Sequence, residues 1–268
     1  MTTRPDLLTD DFRALSARLG QDPLQVQGPG GNTSIKDGGV MWIKASGTEL
    51  ANAEAEQIFV AVDHAAALAE AKGAGDGSCK TTGLDPAVTL RPSIETTFHA
   101  ALDQSVVAHT HSVATLTHAI SPEGLSAARD KLAGLPSIMV PYAKPGLPLT
   151  REIMARVTEK TRIIVLENHG LICFGPSVAE VSETIGEVEA RLAMPPRALP
   201  ELNPTTAPSG FNWTEESWMA QDDRAAALAR SGSYYPDHVV FLGPALPAKD
   251  HGGKPPVILN DRGAFLRE

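Results

Sequence analysis

Residues 105–111 read SVVAHTH, an apolar strand pattern that ends in two histidines. Side chains two residues apart leave the same face of a strand, so His109 and His111 are predicted to lie side by side. Helices are predicted on either side of this strand, over 94–102 and over Ser112–Ile120. A strand placed between two helices predicts a layered α/β fold.

The same alternation continues upstream of residue 94. A helix is predicted to begin at Thr9 or Asp10, and a hairpin is predicted around Asp37-Gly38-Gly39. The remaining upstream elements are a strand over Ile58–Val62, a helix over His64–Lys72 and a loop over 73–89. A hairpin joins antiparallel strands, so we expect a mixed sheet rather than an all-parallel one.

Downstream, a second alternating region leads into a proline-rich stretch. The predicted elements are a strand over Ile138–Tyr142, a helix capped by Thr150, strands over Arg162–Glu167 and Leu171–Phe174, and a helix over 178–194 capped by Ser177. Five prolines between 195 and 208 are typical of a linker. We therefore expect a catalytic domain over 1–194, a linker over 195–208, and an extension over 209–268 that packs on the core. The extension is predicted to contain a helix over Glu215–Arg230 and a strand over His238–Leu242.

Composition excludes several classes of protein. With 32 acidic and 23 basic residues the net charge is −9, which argues against a nucleic-acid binder. Two cysteines in 268 residues are too few for a disulfide framework and favour a reducing compartment. No apolar run has the length of a membrane span, and the first residues lack a signal-peptide pattern. We expect a cytoplasmic protein without membrane or nucleic-acid partners.

A third histidine lies in a polar turn between two apolar strands, within Glu167-Asn168-His169-Gly170. Polar groups that enter an apolar layer need partners, and a cation would be one. His109, His111 and His169 are therefore candidate ligands of one divalent cation, Zn²⁺ first, with Co²⁺ or Mn²⁺ as alternatives. The other interpretation is an ordinary turn, with His109 and His111 at the surface.

Glu95 lies on the helix that leads into the histidine strand. A carboxylate beside a cation can ligate it, or remove a proton next to a carbonyl group. The alternative is a first-turn Glu that the helix dipole favours. His99, four residues later on the same helix face, either supports this site or only packs.

Two further segments have the composition of an anion site. Residues 28–34 crowd glycines, an Asn and hydroxyl groups into one loop, and 44–48 add Lys44 and two more hydroxyl groups. Glycine-rich turns let backbone N–H groups converge on a phosphate. The spacing is neither that of a P-loop nor that of a dinucleotide fingerprint. Two tight turns capped by Ser and Thr remain the alternative.

Taken together and in order, five segments resemble the class II aldolase/adducin family. They are Gly30-Gly31-Asn32-Thr33-Ser34, Lys44-Ala45-Ser46-Gly47, Pro92-Ser93-Ile94-Glu95, His109-Thr110-His111 and Asn168-His169-Gly170. The resemblance covers about residues 10–190 and includes the aldolase half of bifunctional aldolase/short-chain-dehydrogenase proteins. Tyr235–Val240 points the same way, but the sequence has no Gly-x-Gly-x-x-Gly fingerprint. We expect this chain to contain the aldolase half only.

The resemblance implies a three-layer α/β/α sandwich with a mixed central sheet, commonly a homotetramer. It implies Zn²⁺ on His109, His111 and His169, with Glu95 as the acid/base. It also implies phosphate binding by Gly31, Asn32, Ser46, Gly47 and Ser93. The family often has two adjacent serines before the Glu, where this chain has Ser93-Ile94. The proton-donating tyrosine of the fuculose enzyme has no clear match; Tyr142 lies in a suitable strand.

The resemblance further implies the reaction. We expect a metal-dependent aldolase that cleaves a ketose, such as a sugar phosphate, through a cation-stabilised enediolate. The same chemistry supports decarboxylation of a 3-oxo sugar acid phosphate or 4-epimerisation of a pentulose phosphate, which product analysis would separate from an aldolase. An adducin-like module without catalysis is the third possibility, and a metal analysis would distinguish it.

Overall fold

The computed structural model describes residues 2–253 and 256–268. The chain divides into two compact units, one that ends at Ala193 and one over Met194–Glu268. The first unit contains seven strands: β1 (Asn32–Asp37), β2 (Val40–Lys44), β3 (Phe59–Asp63), β4 (Val106–Thr110), β5 (Ser137–Val140), β6 (Ile163–Leu166) and β7 (Gly170–Gly175). Within the described ranges, no helix is long and apolar enough to span a bilayer.

The seven strands form one mixed sheet in the order β3-β2-β1-β4-β7-β6-β5. Neighbouring strands are antiparallel except β5 and β6, which run parallel. The hairpin predicted around residues 37–39 is confirmed as β1 and β2, with Asp37 opposite Val40. The expected mixed sheet is therefore present, with β4 at its centre.

Seven α-helices belong to the same unit: α1 (Asp10–Gln21), α2 (His64–Ala71), α3 (Thr96–Ala101), α4 (Val113–Ala119), α5 (Pro122–Lys131), α6 (Leu147–Met154) and α7 (Val178–Leu192). Short 3₁₀ turns occupy Pro5–Leu7 and Leu50–Asn52. Helix α5 was not predicted, although Ser121 caps it by accepting the Gly124 N–H.

Alternation along the strands assigns the helices to two layers. In β4, Val106 and Ala108 pack into one apolar core that includes residues of α1, α4, α5 and α7. Val107 faces the opposite side and packs with Phe98 of α3, among residues that also come from α6. Helix α2 contributes to a third core with Ala100 of α3. The result is the predicted α/β/α sandwich, because both faces of the central sheet are apolar and need cover.

Two predicted helix starts are wrong. Helix α6 begins at Leu147 rather than at Thr150, which lies inside it and donates its hydroxyl to the Gly146 carbonyl oxygen at 3.1 Å. Proline at the second helical position is tolerated because the missing N–H would have had no helical partner. Helix α3 begins at Thr96, and Ser93 accepts the Glu95 N–H from before the helix.

The second unit contains β8 (Phe211–Trp213), β9 (Val257–Asn260) and β10 (Gly263–Arg267), an antiparallel sheet in the order β8-β10-β9. The helix predicted over Glu215–Arg230 is a 3₁₀ turn over Glu215–Gln221 followed by α8 (Asp223–Ser231). Asp222 separates them and caps α8 by accepting the Ala225 N–H at 2.9 Å. The strand predicted over His238–Leu242 is wrong, because this segment is a π-helical turn.

Two helical glycines offer a matched test of this packing. A Cβ on Gly20 of α1 would lie 2.1 Å from the Ala51 backbone nitrogen, whereas a Cβ on Gly186 of α7 meets nothing within 4 Å. Helix propensity alone favours Ala at both sites by about 0.5–1 kcal/mol. We therefore expect Gly186→Ala to raise the free energy of unfolding in urea by up to about 1 kcal/mol. Gly20→Ala should lower it by about 1–3 kcal/mol or more through overpacking. Equal effects of the two substitutions would contradict the close contact between α1 and residues 50–51.

Candidate functional site

The end of β4 places two histidines next to each other. His109 is buried on the face that Val107 shares, with its ring edge-on to Phe98 at a centroid distance of 5.8 Å. Its Nδ1 lies 3.0 Å from the Leu171 carbonyl oxygen. A carbonyl oxygen only accepts, so Nδ1 carries the proton and the lone pair of Nε2 faces the other way. His111 follows directly after the strand and is also buried.

The third histidine enters on the turn between β6 and β7. Asn168 has a φ of 53° there, and a Cβ on Gly170 would lie 2.2 Å from the Thr110 carbonyl oxygen. Only glycine allows such an approach, because any larger residue would have to displace backbone. The pairing of Thr110 with Leu171 then brings His169 against the end of β4.

The three imidazoles converge on one point. Ring centroids are 5.0 Å apart for His109 and His111, 4.9 Å for His109 and His169, and 5.3 Å for His111 and His169. One ring nitrogen from each residue lies within 4.8 Å of the other two. All three side chains are buried. The predicted trio is therefore assembled by residues from two distant stretches of the chain.

The carboxylate of Glu95 completes the cluster. Its Oε2 lies 3.5 Å from Nε2 of His109, and its Oε1 lies 3.4 Å from Nε2 of His169. Oε2 also accepts a hydrogen bond from Nδ2 of Asn32 at 2.8 Å. Burial opposes ionisation of Glu95, but positive charge at the histidines, from a proton or a cation, and the hydrogen bond from Asn32 favour the carboxylate and lower its pKa. Glu95 is therefore a carboxylate at neutral pH.

The donor set fits a divalent cation. Burial, partly offset by Glu95, lowers the pKa of His169 to about 3, so its ring is neutral at pH 7. The Nε2 lone pair of His109 and the Glu95 oxygens are acceptors that face one another across 3.5 Å. Two such atoms repel unless a cation or a proton lies nearby. Three imidazoles with open positions are a ligand set that Zn²⁺ accepts.

A polar strip lies along the buried face of β1. Asn32, Ser34 and Lys36 alternate along this strand and are all buried. Each bonds to His99 of α3: Oδ1 of Asn32 to Nε2, Oγ of Ser34 to Nδ1 at 2.7 Å, and Nζ of Lys36 to the backbone oxygen at 2.6 Å. The sequence left the role of His99 open, placed Ser34 in the predicted anion-binding loop rather than beside His99, and gave no role to Lys36. Polar residues at alternate positions of a buried strand were the available signal.

The predicted anion-binding segments are neighbours in space. Lys44 donates from Nζ to the Pro29 carbonyl oxygen at 2.8 Å, which ties the end of β2 to the glycine-rich turn. The Ser46 N–H donates to the Arg91 oxygen at 2.8 Å, and the Ser93 N–H donates to the Lys44 oxygen at 3.2 Å. The backbone therefore joins 44–46 to 91–93.

The individual side chains of this predicted set differ in placement. Ser46 and Gly47 are exposed, whereas Ser93 is buried and its Oγ lies 3.3 Å from Nδ2 of Asn32. Asn32 points its amide at Glu95 rather than outward. Tyr142 lies beyond β5 and is 58% exposed. The structure thus brings the histidines, Glu95, Asn32 and Ser93 into one cluster.

Comparison with known proteins agrees with this geometry. Residues 13–194 match the family described as the class II aldolase and adducin N-terminal domain. This chain belongs to that family. The match spans the whole seven-stranded sheet and every member of the cluster.

Solved structures share the class II aldolase fold. The N-terminal class II aldolase domain of a conserved protein from Thermoplasma acidophilum is 27% identical, with a TM-score of 0.62, over 72% of this chain and 97% of that one. A sugar-phosphate aldolase from Thermotoga maritima is 15% identical, with a TM-score of 0.52, over 68% of this chain and 90% of that one. The second likeness shows the fold alone.

A curated relative is much longer. The uncharacterized oxidoreductase YuxG of Bacillus subtilis (strain 168) is 31% identical over 185 residues, which is 62% of this chain and 26% of that protein. The chain therefore spans about a quarter of the length of that relative.

Two glycines with positive φ test how closely the class II aldolase site is packed. Gly31 has a φ of 59°, and a Cβ there would lie 2.8 Å from the His109 carbonyl oxygen; Gly47 has a φ of 79° and free space around it. Alanine at either site should cost about 1–2 kcal/mol of unfolding free energy through the left-handed backbone. Gly31→Ala should cost about 1–3 kcal/mol more because it also clashes. Urea titration of both variants measures the difference, and equal losses would argue against the contact.

Proposed function

We propose that this chain binds one divalent cation through His109, His111 and His169 and cleaves a ketose by a retro-aldol reaction. The observation that carries this proposal is the convergence of three buried imidazole nitrogens within 4.8 Å of one another, with both Glu95 oxygens at 3.4–3.5 Å from two of the rings. Zn²⁺ is the expected ion, with Co²⁺ and Mn²⁺ as alternatives. When bound, the cation would polarise the carbonyl and neighbouring hydroxyl oxygens of the substrate and stabilise negative charge on them.

Glu95 moves the proton. In the condensation direction its ionised, buried carboxylate can accept the proton that leaves the carbon next to the substrate carbonyl. In cleavage the hydroxyl group that becomes the aldehyde releases the proton that Glu95 then delivers to that carbon. The hydrogen bond from Asn32 fixes one oxygen, Oε2, and leaves Oε1 on the side of His169. General acid–base catalysis of this kind contributes about 10²–10⁴-fold to a rate.

We propose that the substrate is a sugar phosphate. Gly31, Asn32, Ser46, Gly47, Ser93 and Lys44 are the candidate phosphate-binding residues. The hydrogen bonds between 44–46 and 91–93 support a shared anion site, and Ser46 and Gly47 are exposed there. Buried Asn32 and Ser93 bond to each other at 3.3 Å and link this site to Glu95.

We also propose a domain organisation, a compartment and an oligomeric state, on the basis of the sequence and of the family to which the chain belongs. Residues 1–194 would form the catalytic domain, with 195–208 as a linker to an extension over 209–268. We propose a cytoplasmic homotetramer with a small-molecule substrate and no nucleic-acid or membrane partner. The same donor set also supports a decarboxylase or 4-epimerase of a sugar phosphate. An adducin-like module without catalysis has no use for a buried ionised carboxylate among three histidines, since burying them costs stability.

Metal analysis tests the donor set. Protein purified without chelator and dialysed against Zn²⁺ should carry about one ion per chain by mass spectrometry of the metal. His109→Ala and His169→Ala should each lose stoichiometric metal, because two imidazoles remain. His64→Ala is the matched control: this half-buried histidine bonds to the Ala100 carbonyl oxygen at 2.9 Å and lies outside the cluster. Unchanged metal content in the two cluster variants would refute this ligand set.

Product analysis tests the reaction. Zinc-loaded protein is incubated with ketose 1-phosphates, pentulose 5-phosphates and a 3-oxo sugar acid phosphate, and the products are followed by NMR. An aldolase releases an aldehyde and a three- or two-carbon carbonyl fragment, whereas an epimerase returns a pentulose and a decarboxylase releases CO₂. Glu95→Gln should keep its metal and lose turnover by about 10²–10⁴-fold.

The control for that substitution is Glu70→Gln. Glu70 is a half-buried carboxylate that accepts a hydrogen bond from the Cys79 N–H at 3.2 Å. It is not a member of the histidine cluster. Its variant should turn over normally. A Glu95→Gln protein as active as Glu70→Gln would remove Glu95 from the mechanism.

A further inference from the structure

We propose that His99 is a positioning residue, which sets the direction of the Asn32 amide and through it holds the Glu95 carboxylate at the cation site. The inference rests on the proposed function for what Glu95 does. The relay from His99 to Asn32 to Glu95 consists of hydrogen bonds that do not depend on the reaction.

Three polar side chains of β1 converge on His99. Strand β1 gives up three apolar positions on its buried face, and the three polar side chains placed there all bond to His99. Buried polar groups cost stability unless they are satisfied, so a simple packing role would be served better by apolar residues. His99 itself is fully buried and stacks on Phe98 at a centroid distance of 4.5 Å. The ring is thus held by stacking on one face and by hydrogen bonds at both nitrogens.

The contacts also fix which atom donates and which accepts at each step from Glu95 to Ser34. The Glu95 carboxylate can only accept, so Asn32 must present its NH₂ group to it. The amide oxygen of Asn32 then faces Nε2 of His99, which must donate. Burial lowers the pKa of His99 well below its usual value, so the ring is neutral and Nδ1 accepts. The hydroxyl group of Ser34 therefore donates to Nδ1.

The relay has one workable orientation. Turning the Asn32 amide by half a turn would set its oxygen against the Glu95 carboxylate and its NH₂ against the Nε2 proton of His99. Both contacts would be repulsive in a buried site with little water to screen them. His99, with its proton on Nε2, therefore holds Asn32 in the one orientation that the Glu95 carboxylate also requires. Asn32 is paired with His109 in the register of β1 and β4. Its hydrogen bond to Oε2 of Glu95 therefore holds that oxygen near Nε2 of His109.

The orientation is tested first without any substrate. The intact chain is labelled with ¹⁵N-histidine, and two-bond ¹H–¹⁵N correlations assign the tautomer of His99. We expect a neutral ring with its proton on Nε2, and Asn32 Nδ2 protons that exchange slowly with solvent. A ring protonated on Nδ1 alone, or a doubly protonated ring at pH 7, would overturn the proposal. This measurement stands even if no sugar is cleaved, so its failure is distinct from failure of the proposed reaction.

Variants then test the consequence for Glu95. His99→Phe keeps a flat ring but removes the donor, whereas His99→Gln can place an N–H near the position of Nε2. Groups that orient a catalytic site typically contribute about 10–100-fold. We expect His99→Phe to lower kcat by about 10–100-fold with KM changed less than about threefold, and His99→Gln to recover most of that loss. The Asn32 Nδ2 protons should exchange faster in His99→Phe and slowly again in His99→Gln.

Thr97→Val is the matched control on the same helix. Thr97 is buried, and its hydroxyl contacts that of Thr150 at 2.7 Å, so the variant loses a buried hydrogen bond of α3 without touching the relay. It should leave kcat and the Asn32 proton exchange unchanged. If His99→Phe behaves like Thr97→Val, or if Phe and Gln at position 99 are equally impaired, His99 serves only the stability of α3. Should His99→Phe fail to fold, the tautomer in the unsubstituted chain still decides the proposal.

Discussion

Two close backbone approaches at the end of β4 are the constraint on which the rest of the site depends. The turn that carries His169 lies so near β4 that a Cβ on Gly170 would sit 2.2 Å from the Thr110 oxygen. On the other side of β4, Gly31 leads into β1, and a Cβ on Gly31 would lie 2.8 Å from the His109 carbonyl oxygen. Side chains at these two positions would push the neighbouring strands apart. The absence of a side chain at Gly170 lets His169 reach the two histidines of β4, and its absence at Gly31 lets β1 bring Asn32 beside them.

The second feature of the site is what lies beneath it. An α/β/α sandwich ordinarily fills the space between sheet and helix with apolar side chains, as it does on the α1 and α7 side. Under α3 the sheet instead presents Asn32, Ser34 and Lys36, which form hydrogen bonds with His99 of α3. Such a layer is tolerated only when its members are hydrogen-bonded. Locally unfavourable choices of this kind are expected at functional sites, where orientation matters more than maximal stability.

Local signals predicted most of the first unit. Strand β4, the hairpin of β1 and β2, and the capped helix α7 agree with the structure to within about two residues, because short-range periodicity and turn residues define them. The errors have local causes too. His238–Leu242 is rich in β-branched and aromatic residues, which favour a strand only when a sheet offers a partner, and in the structure it forms a helical turn. Strands as short as β8, with three residues, leave no alternation to detect.

The sequence by itself determined which side chains are of the types that ligand and acid–base chemistry need, and that the histidines stand where strands end. Those properties depend on residue type and on spacing over a few positions. Only the tertiary structure decided what each side chain faces: Asn32 toward Glu95 rather than toward the glycine-rich turn, and His99 against three side chains of β1. These contacts join residues more than 60 positions apart. They depend on the register between β1 and β4 and on where α3 crosses the sheet, and no periodicity in a single segment specifies either.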